Sequence, residues 1–379
     1  MNNKVKIIVA TLAVGMAATL TGCGGCFGCA GCGSSSSSKT LTRSNWFTGT
    51  SYNGIQPSFI EGNENFSKEK ITYDVTYDKT DADNDYVSLD YKDGEFTTEF
   101  YATKWNWTGT EDIVIPEGYA DEKVSSEIVY YYRTELKIKV QYTMKTGSKA
   151  SSDWFEDHVV TECYFRAAGK SLQPVYSRQE IKSTSPANYQ PDNLKDAYKE
   201  IEVTYENIYN YSCSRVLSKT YEDGKFSEES TKLKSTVFDN SSVYIVARSL
   251  LKTSSSPSES VYLYSPAAGG TDKYAITGSD KSLTAQERAD YTKILSDEKF
   301  GLYKAASEND EGVKTTAVSI SYNGGNLHGT SQTVWYASIT DSDYNVSRAT
   351  MLKLAVPISF NLGTLNYTLK EIESTLWNG

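Results

Sequence analysis

Apolar residues in this chain recur at every second position, and that period constrains its fold more than any motif it carries. Ile71, Tyr73, Val75 and Tyr77 alternate with Thr72, Asp74, Thr76 and Asp78. Leu136, Ile138, Val140, Tyr142 and Met144 alternate with Lys137, Lys139, Gln141, Thr143 and Lys145, and Ile201, Val203 and Tyr205 with Glu202, Thr204 and Glu206. Successive side chains of a strand point to opposite faces, so these runs predict strands with one apolar and one wetted face. Comparable runs cover 159–165, 243–251, 318–322, 334–339, 352–358 and 365–369. Such alternation belongs to antiparallel sheets, because parallel strands buried on both faces read as unbroken apolar runs. The fold expected is mainly β (α+β with few helices), with curved antiparallel sheets in two related halves.

Helical signal is scarce. Thr284-Ala-Gln-Glu287 is a capping-box pattern that opens a helix over 285–295. Pro191 through Tyr198 reads as a further turn or two. A faint repeat supports two halves: Val75-Thr76-Tyr77 recurs as Val203-Thr204-Tyr205, and Asp93-Gly94-Glu95-Phe96 as Asp223-Gly224-Lys225-Phe226. Each Asp-Gly follows a strand ending in Tyr91 or Tyr221, as a tight hairpin turn requires. Ser, Pro and Asn cluster over 183–191, which places the junction there. The organisation expected is a leader over 1–22, a tether over 23–45, and β-rich halves over 46–190 and 191–379.

The residues searched for chemistry disperse rather than converge. The two histidines, His158 and His328, sit in a strand-like run and a Gly-rich turn, with no nucleophile elbow or zinc motif beside either. Ser67-Lys-Glu-Lys70 and Ser249-Leu-Leu-Lys252 match an S-x-x-K pattern, but both serines fall in or before expected strands rather than at a helix start. Asp81, Asp83 and Asp85 form the weak metal candidate. An EF-hand loop needs Gly at its sixth position and Glu at its twelfth, where Tyr86 and Lys92 stand. Catalytic carboxylate pairs are defined only in space, and 48 acidic residues leave none distinguished. No catalytic residue is named. The aromatic residues are more pointed: Trp105 and Trp107 share one strand face, and Tyr130, Tyr131 and Tyr132 are consecutive. Trp105, Trp107, Tyr130 and Tyr132 are therefore the candidate ligand-binding residues, able to line a cavity or stack on sugar rings.

The N-terminus carries an address. Lys4 and Lys6 precede an apolar run over 7–20, too short for a comfortable membrane span, and Leu20-Thr21-Gly22-Cys23 follows. This segment resembles the leader and lipobox of bacterial lipoproteins. The resemblance implies cleavage before Cys23, a diacylglycerol and fatty acyl (palmitate-type) lipid on its thiol, and anchorage at the outer face of a bacterial membrane. Cys23, Cys26, Cys29 and Cys32 also resemble part of a ferredoxin iron–sulfur run, with the last gap wrong and no following proline. A blocked Cys23 and walls of Gly and Ala favour a thiol-rich tether, so no cofactor is expected beyond the covalent lipid. Cys163 and Cys213 remain, and an exported location permits a disulfide between them. Losing the leader with its two lysines takes the formal charge from −10 to −12, which disfavours nucleic acid as a partner.

A tethered, antiparallel chain with few helices is also similar in architecture to the lipoprotein-carrier (LolA/LppX-like) group, with Leu172-Gln-Pro-Val-Tyr176 as the local reminder. That resemblance implies a hydrophobic cavity between sheet and helix. Three readings follow: a non-enzymatic binder of a hydrophobic or amphipathic envelope ligand, a surface glycan- or protein-interaction module using exposed Trp and Tyr, and an envelope hydrolase. A lipid-filled cavity favours the first. An exposed aromatic row without one favours the second, and facing carboxylates roughly 5–9.5 Å apart favour the third.

Overall fold

The alternating runs become strands. A computed structural model of the chain describes residues 68–80, 87–105, 127–144, 154–166, 173–185, 195–206, 215–222, 224–233, 237–251, 257–295, 313–322, 331–341, 346–358 and 362–375. In chain order the strands are β1 (Lys68–Lys79), β2 (Val87–Trp105), β3 (Glu127–Met144), β4 (Phe155–Arg166), β5 (Gln173–Ser185), β6 (Lys195–Glu206), β7 (Arg215–Glu222), β8 (Lys225–Lys232) and β9 (Phe238–Asp239). There follow β10 (Ser258–Ser265), β11 (Gly270–Ser279), β12 (Thr315–Tyr322), β13 (Ser331–Asp341), β14 (Val346–Ile358) and β15 (Gly363–Thr375). Two helices, α1 (Val243–Leu250) and α2 (Ala285–Leu295), complete the described elements, with a 3-10 turn over Asn240–Ser242 ahead of α1.

All fifteen strands lie in one sheet of order β8-β7-β6-β5-β4-β3-β2-β1-β15-β14-β13-β12-β11-β10-β9. It is an antiparallel meander whose first and last strands pair at its middle, and only the short β9–β10 pair is parallel. Register shifts after Thr72, Lys92, Tyr164 and Trp335 add local twist, which helps so wide a sheet curl. Strands remote in sheet order consequently meet. Tyr205 on β6 stands edge-on to Tyr264 on β10 with centroids 6.0 Å apart, and Gln179 on β5 reaches Asn240 beside β9 at 3.2 Å.

The curled inner face encloses α1. Val243, Tyr244, Ile245, Val246, Ala247, Arg248 and Leu250 are all buried. Tyr244 donates to Gln332 at 2.9 Å, and Tyr336 donates to the Tyr244 carbonyl at 2.8 Å, so β13 holds the helix from one side. Arg248 pairs with Glu69 of β1 at 2.8 Å, with both side chains 5% exposed. Taking away one partner of such a buried pair costs about 3–5 kcal/mol, because the other charge is left without compensation in a poorly polarisable interior. The strand expected over 243–251 is thus a helix. Its Val, Tyr and Ile residues read as strand, yet the run also carries the amphipathic period of a helix.

Other local expectations divide. The capping box forms as expected: Glu287 Oε2 accepts from Thr284 N at 2.8 Å, and Thr284 Oγ1 accepts from Glu287 N at 3.2 Å. Lys195–Tyr198, expected in a helical turn, instead opens β6. Gly224 stands between β7 and β8 at φ 80°, and Glu222 and Lys225 are partners, as a tight hairpin needs; Asp223 lies outside the described residues. Asp93-Gly94 does not turn the chain. It is a bulge inside β2, where Asp93 has φ 51° and a Cβ on Gly94 would stand 2.8 Å from Val75. The two copies of the repeat therefore occupy unlike positions in the sheet. The 190/191 boundary falls between β5 and β6, which pair along ten positions, and Val175 and Tyr176 share an apolar cluster with Ile201, Val203, Tyr205 and Val216.

Candidate functional site

With one side of each strand buried, every second side chain of β2–β8 projects outward, and register sorts these into rungs. One rung is aromatic. Tyr101, Tyr131, Tyr164 and Tyr176 are direct partners on β2, β3, β4 and β5, with ring centroids 4.8, 4.9 and 6.1 Å apart. Tyr131 is buried although it belongs to neither apolar core cluster, and Tyr176 is buried as well. Tyr131 donates to Glu162 at 2.6 Å, and burial together with that carboxylate pushes its phenol above the ordinary range.

The neighbouring rung is ionic. Glu373, Lys70, Glu99, Arg133, Glu162, Arg178, Glu202, Lys219 and Glu228 are successive partners on nine adjacent strands from β15 to β8, and the sign changes at every step. Arg178 also lies 2.5 Å from Glu180 and 2.7 Å from Glu200. One position along, Glu135 meets Lys137 at 2.7 Å and Arg133 and His158 at 2.8 Å. Burial acts to raise the Glu135 carboxyl, but hydrogen bonds from Lys137, Arg133 and His158 prevail and hold it at about 2. Opposite charges facing each other across strands stabilise by about 0.2–1 kcal/mol, and like charges destabilise. The ladder thus specifies register: sliding β5 two residues along β4 would set Glu180 against Glu162.

At the free end of the sheet the outer face becomes aromatic again, and there the rings are open. Tyr198 on β6, Tyr221 on β7 and Phe226 on β8 are 39%, 45% and 65% exposed. Tyr221 is the direct partner of both Glu200 and Phe226, which places them on one face. Tyr198 donates to Glu200 at 3.3 Å; partial burial and the nearby Glu200 raise its phenol. This corner offers flat rings for stacking, carboxylates as acceptors and, in Lys219, a mobile donor. Beside it, β8 is a terminal strand, exposed along its whole length except Thr231, which is half-buried.

A second polar group lies inside. Asp239 accepts from Tyr205 Oη at 2.5 Å, from Ser241 N at 2.9 Å and from Ser241 Oγ at 2.5 Å. Burial raises the Asp239 carboxyl, and burial followed by Asp239 raises the Cys163 thiol. This cluster ties β6 to the turn ahead of α1. The neighbouring gap, lined by Phe165, Pro174, Phe238, Ser242, Ile245 and Val246, measures about 10 Å³, roughly the space of a single water.

The four ligand-binding candidates separate. Tyr130 and Tyr132 face inward and are 4% and 3% exposed, with Tyr130 stacked on Phe100 at 5.7 Å and on Phe165 at 5.8 Å. Trp105 ends β2, its side chain outside the described residues, and Trp107 lies outside them altogether. Cys23 and its tether, Asp81, Asp83, Asp85, His328 and Cys213 also lie outside the described residues. Among those described, no group of three or more His, Cys, Asp or Glu is placed to hold a metal, and no helix is long and apolar enough to cross a membrane. His158 is an outer-face strand residue bonded to Glu135, as its setting suggested. Ser249 falls in the last turn of α1, not in a strand and not at a helix start.

Tyr198, Phe226 and the ladder were not singled out from the sequence, yet a signal existed. Glu99-x-Tyr101, Tyr131-x-Arg133, Glu162-x-Tyr164 and Tyr176-x-Arg178 place a tyrosine two residues from a charge, in reversing order and with alternating sign. An antiparallel meander converts that pattern into two parallel rungs.

No family model matches the chain, and no curated protein matches it. Among solved structures it is similar to a β-barrel-like protein of a domain of unknown function, DUF1849, from Brucella abortus. The two are 10% identical with a TM-score of 0.44, over 82% of this chain and 98% of the other.

Proposed function

We propose that this chain is a non-enzymatic binding module of the cell envelope, held to the outer face of a membrane by a lipid on Cys23, that engages its ligand at the Tyr198–Tyr221–Phe226 corner. The observation that carries the reading is the clustering of open aromatic rings on one outer face, beside a curled interior occupied by α1 and its aromatic neighbours. Exposed apolar patches rimmed by charge mark interaction surfaces on soluble domains. Core packing around α1 weighs against the carrier reading, which needs space where Tyr73, Tyr132, Tyr244, Tyr336 and Tyr367 stand. The lipobox supplies the tether, and the acidic charge leaves the lipid rather than basic residues to hold the membrane.

Two measurements test the parts separately. Cys23→Ala should abolish incorporation of labelled fatty acid and release the protein from the membrane fraction; retention of either overturns the tether. The full chain, screened against immobilised glycans and peptides, should bind a ligand that Tyr198→Ser/Tyr221→Ser/Phe226→Ser loses. Binding that survives the triple substitution, or a lipid extracted from the purified native protein, overturns the corner as the site.

A further inference from the structure

Among the described residues no strand lies beyond β8, so the ladder stops at Glu228 for want of a strand and not for want of a partner surface. A two-residue turn makes Glu222 and Lys225 a hydrogen-bonded pair, so alternation along the hairpin sends the N–H and C=O of Phe226, Glu228 and Ser230 to the side away from β7. These same residues carry outward-facing side chains: Phe226 continues the aromatic corner and Glu228 is the last negative step of the nine-strand ladder. A strand laid along β8 would find its backbone bonded and its side chains read in one register.

We propose that β8 takes up an extended polypeptide segment as the tenth ladder strand, with Lys or Arg opposite Glu228 and an aromatic or aliphatic residue two positions away opposite Phe226. The inference rests on the binding-module reading and names its partner class. Charge complementarity selects the occupant. Every ladder step already pairs opposite signs, and Glu228 and Glu229 make the centre of β8 anionic. A second copy of the chain is excluded from this edge by the same rule. Two β8 strands paired through these outward groups about Glu228 would set the two Glu228 side chains directly opposite, and like charges placed opposite destabilise. Charged edge residues commonly guard a sheet against pairing with itself. Here the guard rejects an acidic or self-complementary strand and admits a basic one, and that difference in affinity is what specificity consists of.

The test uses the full chain in detergent and two fluorescent ten-residue peptides of Thr and Ser. One carries Lys-Thr-Phe at its centre and the other Glu-Thr-Phe. The Lys peptide should bind at least about tenfold more tightly at low salt, and Glu228→Lys should reverse the preference. Ser230→Pro removes an outward N–H without touching the β7 ladder, so it should abolish binding while leaving the thermal midpoint and the near-ultraviolet dichroism unchanged. Equal binding of both peptides, binding of neither, or binding that persists in Ser230→Pro each overturns the proposal. If the array ligand of the corner is lost in the triple Ser variant but retained in Ser230→Pro, the binding-module reading stands and the strand-addition inference alone falls.

Discussion

The outer face of this sheet is treated in two ways. Over β13–β15 it is covered: α2 lies across it with Tyr291 and Leu295 buried, Lys353 bonds Glu287 at 2.6 Å, and Trp335 donates to the Lys281 carbonyl at 3.1 Å. Over β2–β8 no described helix crosses it, and ions in alternation take its place. β1–β4 and β12–β15 face inward onto α1 and a shared core, while β5–β7 contribute a second apolar cluster that includes Tyr264 of β10. What differs is the solution to a wet sheet face. Where a helix is available, an indole and the aliphatic stem of a lysine go beneath it. Where none is, each charge is set beside its opposite, and the rings that remain open gather at the free end. A face kept open and ordered by charge is a surface available to a ligand, and a face under a helix is not.

Substitutions sharpen that contrast. The largest effect is expected under the covered face. Tyr291→Ala should destabilise by about 3 kcal/mol, because a buried ring is lost and its space refills poorly, and urea unfolding would read it. A value below about 1 kcal/mol would mean that α2 is a loose cover and the two faces are not so different. On the open face, Arg178→Glu sets one acid among Glu162, Glu180, Glu200 and Glu202, and should cost about 1–2 kcal/mol. Adding Glu200→Arg should restore part of that loss. Additive costs in the double variant would show that the ladder contributes no pairwise coupling.

The smallest effect is a pH dependence. The Glu135 carboxyl is held at about 2, below its ordinary value near 4.3. A depressed acid stabilises the fold above its unfolded value, and that contribution disappears as pH falls from about 4 through about 2. Glu135→Gln should flatten this part of the acid-unfolding curve and leave stability at pH 7 reduced. An unchanged acid limb would assign the open face's acid sensitivity to another carboxylate.

The period-two runs marked eight of the fifteen described strands, β1, β3, β4, β6 and β12–β15, because strand geometry imposes that period directly on the side chains. Thr284 and Glu287 likewise announced α2, since a capping box is satisfied within four residues. The interior decided the rest. Val243–Leu250 carries β-branched strand formers and a helical period together, and its place inside the curled sheet goes with the helix. Tyr130 and Tyr132 look like a binding platform in a run of three tyrosines, yet alternation sends them into the core and leaves only Tyr131 outside. The Asp-Gly pairs were equal as dipeptides, and their neighbours made one a bulge against Val75 and the other a hairpin turn. Which charges face one another, and which rings stay in water, depends on pairing between residues far apart in sequence, as Lys70 and Glu373 are at 303 positions. Composition and period set how each strand is built, and only the closing of the meander, β1 onto β15, set what each strand is beside.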